Sequence, residues 1–470
     1  MPTIERSYLS VYGHFSQPPR GNPLTHEIGH EDDAAPSENW NERVADRCYD
    51  PNAEAGNFAQ ISYSVGESLL AWLEIHHPET YATIIASDHA AEVDEAKAVT
   101  GNALATAFHH TILPLARKRD KRTQILWGIA AFEQRFGRKP LGFWLPEMAV
   151  DTETLLLLAE SGIQYTLLAA QQIRDMPFQG GAGPYLVRLS RSRTIGVFVR
   201  DDRLSSEISF NIHNLGGAGH WTRNTLGPAR KSSGPLLLLA TEGETFGHHY
   251  AGEDQFLRWL MTHEAPAVGY TMTNLDTYFK ECPPSWAVKI HEPSSWSDQR
   301  GLANWATGQA DPKRDTTWKG ALRRALDNVA SDLDRAYEDM ARPLDIEPWH
   351  LRDRYAPVLL GAQDADAFLE EHAPTVGPDT AQQLKAMLDA QELIQRAYTS
   401  YTFTNDALDS RQPRYAIACA AAAVMLVQQA TGRDMSERLM PDLAVVISGS
   451  TTGTEILRSV VEEFNLELAE

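Results

Sequence analysis

Along the first part of the chain, short apolar runs alternate with segments whose apolar positions recur at helical spacing. The runs are SYLSVYG (7–13), LGFWLPE (141–147), QYTLLA (164–169), TIGVFVRDD (194–202), LLLLA (236–240) and VGYTMT (268–273). Such short apolar runs predict strands. The spacing predicts helices over SVGESLLAWLEIHHP (64–78), GNALATAFHHTILPLARK (101–118) and RTQILWGIAAFEQRFG (122–137). DTETLLLLAESG (151–162) opens on Asp151, an N-cap residue, and closes on Gly162. EDQFLRWLMTH predicts another helix between the last two strands.

Strands alternating with helices argue for α/β architecture with a parallel sheet. The unbroken apolar stretch Leu236 to Leu239 fits a strand covered on both faces. In parallel α/β folds, ligand chemistry collects where the strands end. From about residue 315 the pattern is helical throughout, with breaks at Pro343, Pro374, Pro378 and Pro413, so a second, all-helical domain is expected. QGGAGP (179–184) and LGGAG (215–219) read as loops. Neither is a glycine fingerprint after a strand or a P-loop with its Lys, so nucleotide binding has little support.

The formal charge of −21 argues against a nucleic-acid backbone or an anionic membrane as partner. A neutral, hydroxyl-rich ligand is compatible with that field. Cys48, Cys282 and Cys419 are far apart and form no CxxC pair, which fits a reducing compartment. The N-terminus lacks the basic start and apolar core of a signal peptide, and the best apolar stretch, YAIACAAAAVMLVQQA (415–430), is too short to span a bilayer. A soluble, cytoplasmic protein is the expectation.

Four stretches place chemistry at or just after an expected strand: GHFSQPPRGNP (13–23), GFWLPEMAVD (142–151), TEGETFGHH (241–249) and HEPSSW (291–296). Two carboxylates on different strand ends suit glycoside hydrolysis, in which one meets the sugar carbon and the other protonates the leaving oxygen. Trp144, Trp221 and Trp296 could stack on sugar faces. Each residue also has a plainer reading. Glu147 could face the dipole of the helix from 151, and Glu242 and Glu244 could be turn residues. His14 could be a satisfied histidine at a strand end. His248 and His249, adjacent on a helix, would diverge too far to share a metal. His109 and His110 read as structural residues of a helix, and Trp127 and Trp259 as core.

Taken together, these stretches resemble glycoside hydrolase family 57. HFSQP resembles the family's first motif, His-x-His-Gln-Pro, with Ser16 in the second histidine position. WLPE resembles the segment that ends in the catalytic nucleophile, here Glu147. TEGETFGHH is similar to a segment usually written Asp-Gly-Glu, whose Asp is the general acid/base; that position is Glu242. SSWS followed by GLANW resembles a later motif, and GHFSQPPRGNP, NWNER and TFGHH resemble an uncharacterised bacterial subgroup.

The resemblance implies an incomplete parallel (β/α)7 barrel over residues 1–300 and an all-helical domain over 301–470. It implies a retaining, two-step mechanism on α-glucans or oligosaccharides, with no cofactor and no obligatory metal. Glu147 and Glu242 would be catalytic; His14, Gln17, Trp144, Trp221, Glu244, Trp296 and Trp305 would bind substrate. Nucleic acid and membranes are not expected partners, and the oligomeric state is left open. Glu242 carries one methylene more than aspartate, and a misplacement on the order of 1 Å can cost ~10²-fold in rate. An α-glucan-binding protein on the same fold, without turnover, is therefore the alternative. A metal-dependent deacetylase on a related barrel would need an Asp and two His converging on one ion.

Overall fold

The computed structural model describes residues 6–88, 100–176, 181–311 and 313–468. Residues 179 and 180 of the expected 179–184 loop lie outside them. The chain divides into two compact units. One comprises Met1–Gln17, His30–Ala107 and Phe132–Gln299; the other comprises Pro18–Gly29, Phe108–Ala131 and Arg300–Glu470.

The strands of the first unit are β1 (Ser7–Phe15), β2 (Ser62–Val65), β3 (Ala105–Thr106), β4 (Gly142–Trp144), β5 (Tyr165–Ala169), β6 (Ile173–Arg174), β7 (Tyr185–Arg188), β8 (Thr194–Arg200), β9 (Leu236–Glu242), β10 (Tyr270–Met272) and β11 (Ala287–Ile290). Parallel pairing runs from β9 to β1 and on to β2, and from β3 through β4 and β5 to β8. A parallel bridge between Tyr63 and Ala103 joins β2 to the start of β3. Asp201 N donates to Leu238 O at 2.9 Å and brings β8 back to β9. This is an incomplete (β/α)7 barrel, followed in the chain by a helical region. β7 runs antiparallel to β8.

Leu236 to Leu239 are all buried, and removing each leucine from water contributes about 1.5–3 kcal/mol. Along β1 the period of two places Ser10, Tyr12 and His14 on one face, and Leu9, Val11 and Phe15 on the other. Tyr12 and His14 meet Trp144 of β4 on the inner face, while Phe15 meets Tyr49 and Phe58.

The expected helix over 101–118 does not form. Ala105–Thr106 is a strand, and a short turn at Leu113–Leu115 contains Pro114, which has no N–H to donate. Residues 101 to 108 are all buried, and a run covered on every side reads alike as strand or helix. His109 and His110 therefore sit outside a helix. Trp259 is 51% exposed rather than in the core, because its helix buries Phe256 and Leu257 and the chain then buries Leu260 and Met261. His248 and His249 lie in a turn, and the glycine-rich 215–219 stretch starts a short helix at Gly217.

The second unit is built on helices Trp318–Ala341, Pro378–Ala397, Arg411–Thr431 and Gly453–Phe464. The alanine-rich helix Arg411–Thr431 packs against the other three, with Ala416 to Ala423 fully buried. No helix among the described residues is long and apolar enough to cross a membrane. Arg396 ties the early segment into this unit: it donates to Pro23 O at 3.0 Å and pairs with Glu392 at 2.6 Å. Arg396 and His109 together hold the buried Glu392 down to about 2.

In the first unit, Arg138 pairs with Asp88 through two bonds of 2.7 and 2.8 Å, and its Nη1 lies 3.4 Å from Asp276. Asp276 also accepts from Tyr165 at 2.7 Å and from Gly101 N at 3.2 Å. All three charged side chains are buried. Removing the cation from a buried pair leaves uncompensated charge, so Arg138→Met should lower stability by about 3–5 kcal/mol in urea unfolding. A loss under ~1 kcal/mol would show that the carboxylates do not depend on it.

Candidate active site

Strand register gathers the site. His14 stands opposite Glu242 across the β1–β9 pair and opposite Ser64 across β1–β2. Trp144 ends β4 opposite Thr106, and Arg200 ends β8 opposite Ala169. All lie at the carboxyl ends of their strands, where a barrel collects function.

Glu147 follows β4 on a strained turn. It has φ 57° and ψ 20°, and Met148 has φ 46°, a left-handed conformation that costs roughly 1–3 kcal/mol per non-glycine residue. The turn is held by Met148 N donating to Leu145 O at 2.7 Å and Ala149 N to Pro146 O at 3.0 Å. Segment 294–296 is stitched beside it, with Val150 N donating to Ser294 O at 2.9 Å and Trp296 N to Glu147 O at 3.2 Å. The Glu147 carboxylate accepts from Trp296 Nε1 at 2.9 Å and Ser297 Oγ at 3.2 Å. It does not serve the following helix, whose N-terminus is capped by Asp151 and met by Glu292.

Glu242 is the last residue of β9 and Gly243 begins a tight turn. A Cβ on Gly243 would overlap the Phe15 ring, so the turn can lie flat against β1 only with glycine there. The turn sends Glu244 to a buried position, where it accepts from Tyr49 OH at 2.7 Å and Ser16 N at 2.9 Å. Gln17 donates to Tyr49 OH at 2.9 Å. Gln17 and Glu244 are thus joined through one tyrosine.

Burial pushes the Glu147 carboxyl upward, and its bonds to Trp296 and Ser297 offset part of that. Burial pushes Glu242 well above the usual carboxylate range; the charges of Glu147 and Glu244 add to this and Arg200 opposes it. Burial raises Glu244 to about 7, against its bonds to Tyr49 and Ser16 N. The two strand-end carboxylates differ in kind: one is held by donors, the other faces two more carboxylates.

Other expected residues are placed as follows. His14 is buried, stacked on Trp144 at 5.1 Å, with Nδ1 2.7 Å from Ser64 Oγ. Trp144 is fully buried, edge-on to Trp296 at 5.4 Å, and its Nε1 has no hydrogen-bond partner. Trp221 is buried against Phe256 and donates to Glu207 at 2.9 Å, so it packs its short helix against two neighbouring helices. Trp305 is buried in the second unit, where its carbonyl accepts from Arg323 at 3.1 Å.

Sequence reasoning missed Tyr12, Tyr49, Ser64, Arg200 and Ser297. Arg200 carried a signal: like Glu242, it is a charge at the point where an apolar run stops. Tyr12 and Ser64 are ordinary strand residues until register sets them side by side, with their hydroxyls 2.5 Å apart. Among the described residues, His, Cys, Asp and Glu side chains form no group of three able to hold a metal ion.

Residues 95–291 match the family model described as Glycosyl hydrolase family 57. Residues 315–470 match a domain of unknown function, DUF3536. Alpha-amylase 1 of Dictyoglomus thermophilum is 32% identical over 100 residues, a stretch spanning 21% of this chain and only 13% of that enzyme. An exo-type maltose-forming amylase from Pyrococcus sp. ST04 shares the fold with a TM-score of 0.73 at 13% identity, over 93% of this chain and 83% of that one. The branching enzyme of Thermococcus kodakaraensis gives 0.57 at 14% identity, over 98% and 94% of the two chains. The alpha-amylase AmyC of Thermotoga maritima gives 0.58 at 14% identity, over 96% and 99%. At such identities the likeness to these structures shows the fold.

The position of Glu244 has a consequence for stability. Its folded value of about 7 lies above the ordinary 4.5, so the folded state holds the proton more tightly than the unfolded chain. The stability this contributes is present below pH 4.5 and is lost as pH rises through about 7. Asp276, raised to about 6, acts in the same direction. The Tm should therefore fall less in Glu244→Gln than in the wild type between about pH 5 and pH 8. Equal falls would remove Glu244 from the linkage.

Proposed function

For a chain whose residues 95–291 belong to glycosyl hydrolase family 57, we propose a retaining hydrolase or glucanotransferase acting on α-glucans. Glu147 is the nucleophile and Glu242 the general acid/base. The observation that carries the reading is the contrast between the two strand-end carboxylates. Glu147 is held by two donors, Trp296 and Ser297. Glu242, desolvated and facing Glu147 and Glu244, is driven toward the protonated form. Pairs of carboxyls whose surroundings push them apart divide into an acid and a base or nucleophile.

In the first step Glu147 attacks the anomeric carbon while Glu242 gives its proton to the departing glycosidic oxygen. The glycosyl–enzyme ester leaves Glu242 ionised. In the second step Glu242 takes a proton from water or from a sugar hydroxyl, which attacks the same carbon and releases Glu147. The charge on Glu147 disappears in the ester, so Glu242 loses one of the charges that raised it, stays ionised and is available to take a proton when a base is needed. The partly exposed indole of Trp296 supplies an apolar surface for a sugar ring beside Glu147, while Trp144 is fully buried and backs the site through Tyr12, His14 and Trp296.

A glucan-binding protein without turnover is favoured by one observation: a glutamate stands at position 242, where the family motif has aspartate. One experiment separates the readings. Purified protein is incubated with a maltooligosaccharide series and the products are sized. Shorter products mean hydrolysis; longer ones as well mean transfer. Glu147→Gln should abolish either, with the fold unchanged by circular dichroism. Full activity in that variant would remove Glu147 from the mechanism. Saturable binding with no change in chain length would support the binding protein.

A further inference from the structure

Trp296, which donates to Glu147, belongs to an irregular segment and is held from elsewhere. Its carbonyl accepts from Gln171 Nε2 at 2.7 Å. Gln171 N donates to Asp202 Oδ2 at 3.2 Å, and Asp202 Oδ1 accepts from Arg200 Nε at 2.8 Å. The Arg200 guanidinium then returns to lie over the Trp296 ring, 4.7 Å from its centre. The same guanidinium donates through Nη1 to Ala240 O at 3.1 Å, two residues before Glu242 on β9.

We propose that Arg200 is a positioning residue that couples the two carboxylates, clamping Trp296 against Glu147 while pinning the strand end that presents Glu242. A planar cation suits both tasks, since it stacks on an indole and donates along its edge. Its charge has a second effect. Glu242 faces Glu147, Glu244 and the Tyr12 hydroxyl, with His14 opposite it in register, and Arg200 is the cation that offsets them. The clamp thereby keeps Glu242 able to release its proton. This inference rests on the roles proposed above for Glu147 and Glu242.

The test reads the clamp without turnover. In protein labelled with ¹³C at the glutamate carboxyls, the Glu242 signal is identified by its loss in Glu242→Gln and followed against pH. The Trp296 indole N–H is identified by Trp296→Phe. In folded Arg200→Met, the Glu242 midpoint should rise by at least about one pH unit, and the Trp296 indole signal should shift. Arg200→Lys keeps a charge but not the stack, so it should shift the indole signal and largely spare the Glu242 midpoint. An unmoved midpoint and indole signal in folded Arg200→Met would overturn the proposal. If that variant does not fold, Arg200→Lys and Asp202→Asn decide: a shifted indole signal supports the clamp, and an unshifted one in both overturns it. If the variants show these shifts while the wild type leaves maltooligosaccharides unchanged, the hydrolase or transferase reading is retired and the clamp stands.

Discussion

The parallel pairing of β1 with β9 is the constraint on which the site depends. The two strands run in register from Tyr8 opposite Leu236 to His14 opposite Glu242. A slip by one residue would turn Glu242 toward the helices and put Thr241 or Gly243 in its place. The register is held by the burial of four consecutive leucines and by the flat turn at Gly243 against Phe15. Apolar packing along the strand thus decides where a carboxylate stands at its end.

Once that register is set, the rest of the site is a problem of keeping charge in a poorly hydrated place. Each of the three acids has a different answer. Glu147 takes donors from Trp296 and Ser297, at the cost of a left-handed backbone. Glu244 takes Tyr49 and a backbone amide and serves as a brace between the 243–245 turn and the segment after β1. Glu242 has no such donors among the described residues, and burial with the charges of Glu147 and Glu244 pushes its carboxyl well above the usual range against the pull of Arg200. The differences arise from what surrounds each group, since all three are glutamates with the same ordinary acidity.

Much of the framework was legible. The strand runs ended at or near Trp144, Ala169, Arg200 and Glu242, and Asp151 does cap its helix. The misses have physical causes. Residues 101–108 are buried on all sides, which erases the period that separates strand from helix. Trp259 lies between the buried positions of its helix, so its hydrophobicity misled where its phase would not have. Of the tryptophans expected against sugar, Trp144 and Trp296 meet at the strand ends, Trp221 packs between helices, and Trp305 belongs to the second unit. Composition cannot separate these cases because an indole stacks equally well on protein and on sugar.

The sequence by itself determined the alternation of strands and helices in the first part of the chain, the change to a mostly helical second part in which only Ile447–Ser448 and Thr451–Thr452 pair as short strands among the described residues, and the stretches where carboxylates end apolar runs. Those features are local: a period, a cap residue or a motif is complete within a few positions of the chain. Only the tertiary structure decided which groups meet. The ladder that sets Ser64 beside His14, the cation that Arg200 lays on Trp296 and the different surroundings of Glu147 and Glu242 each join residues far apart in the chain. Their energies come from distance, desolvation and mutual charge, quantities that exist only after the strands are side by side.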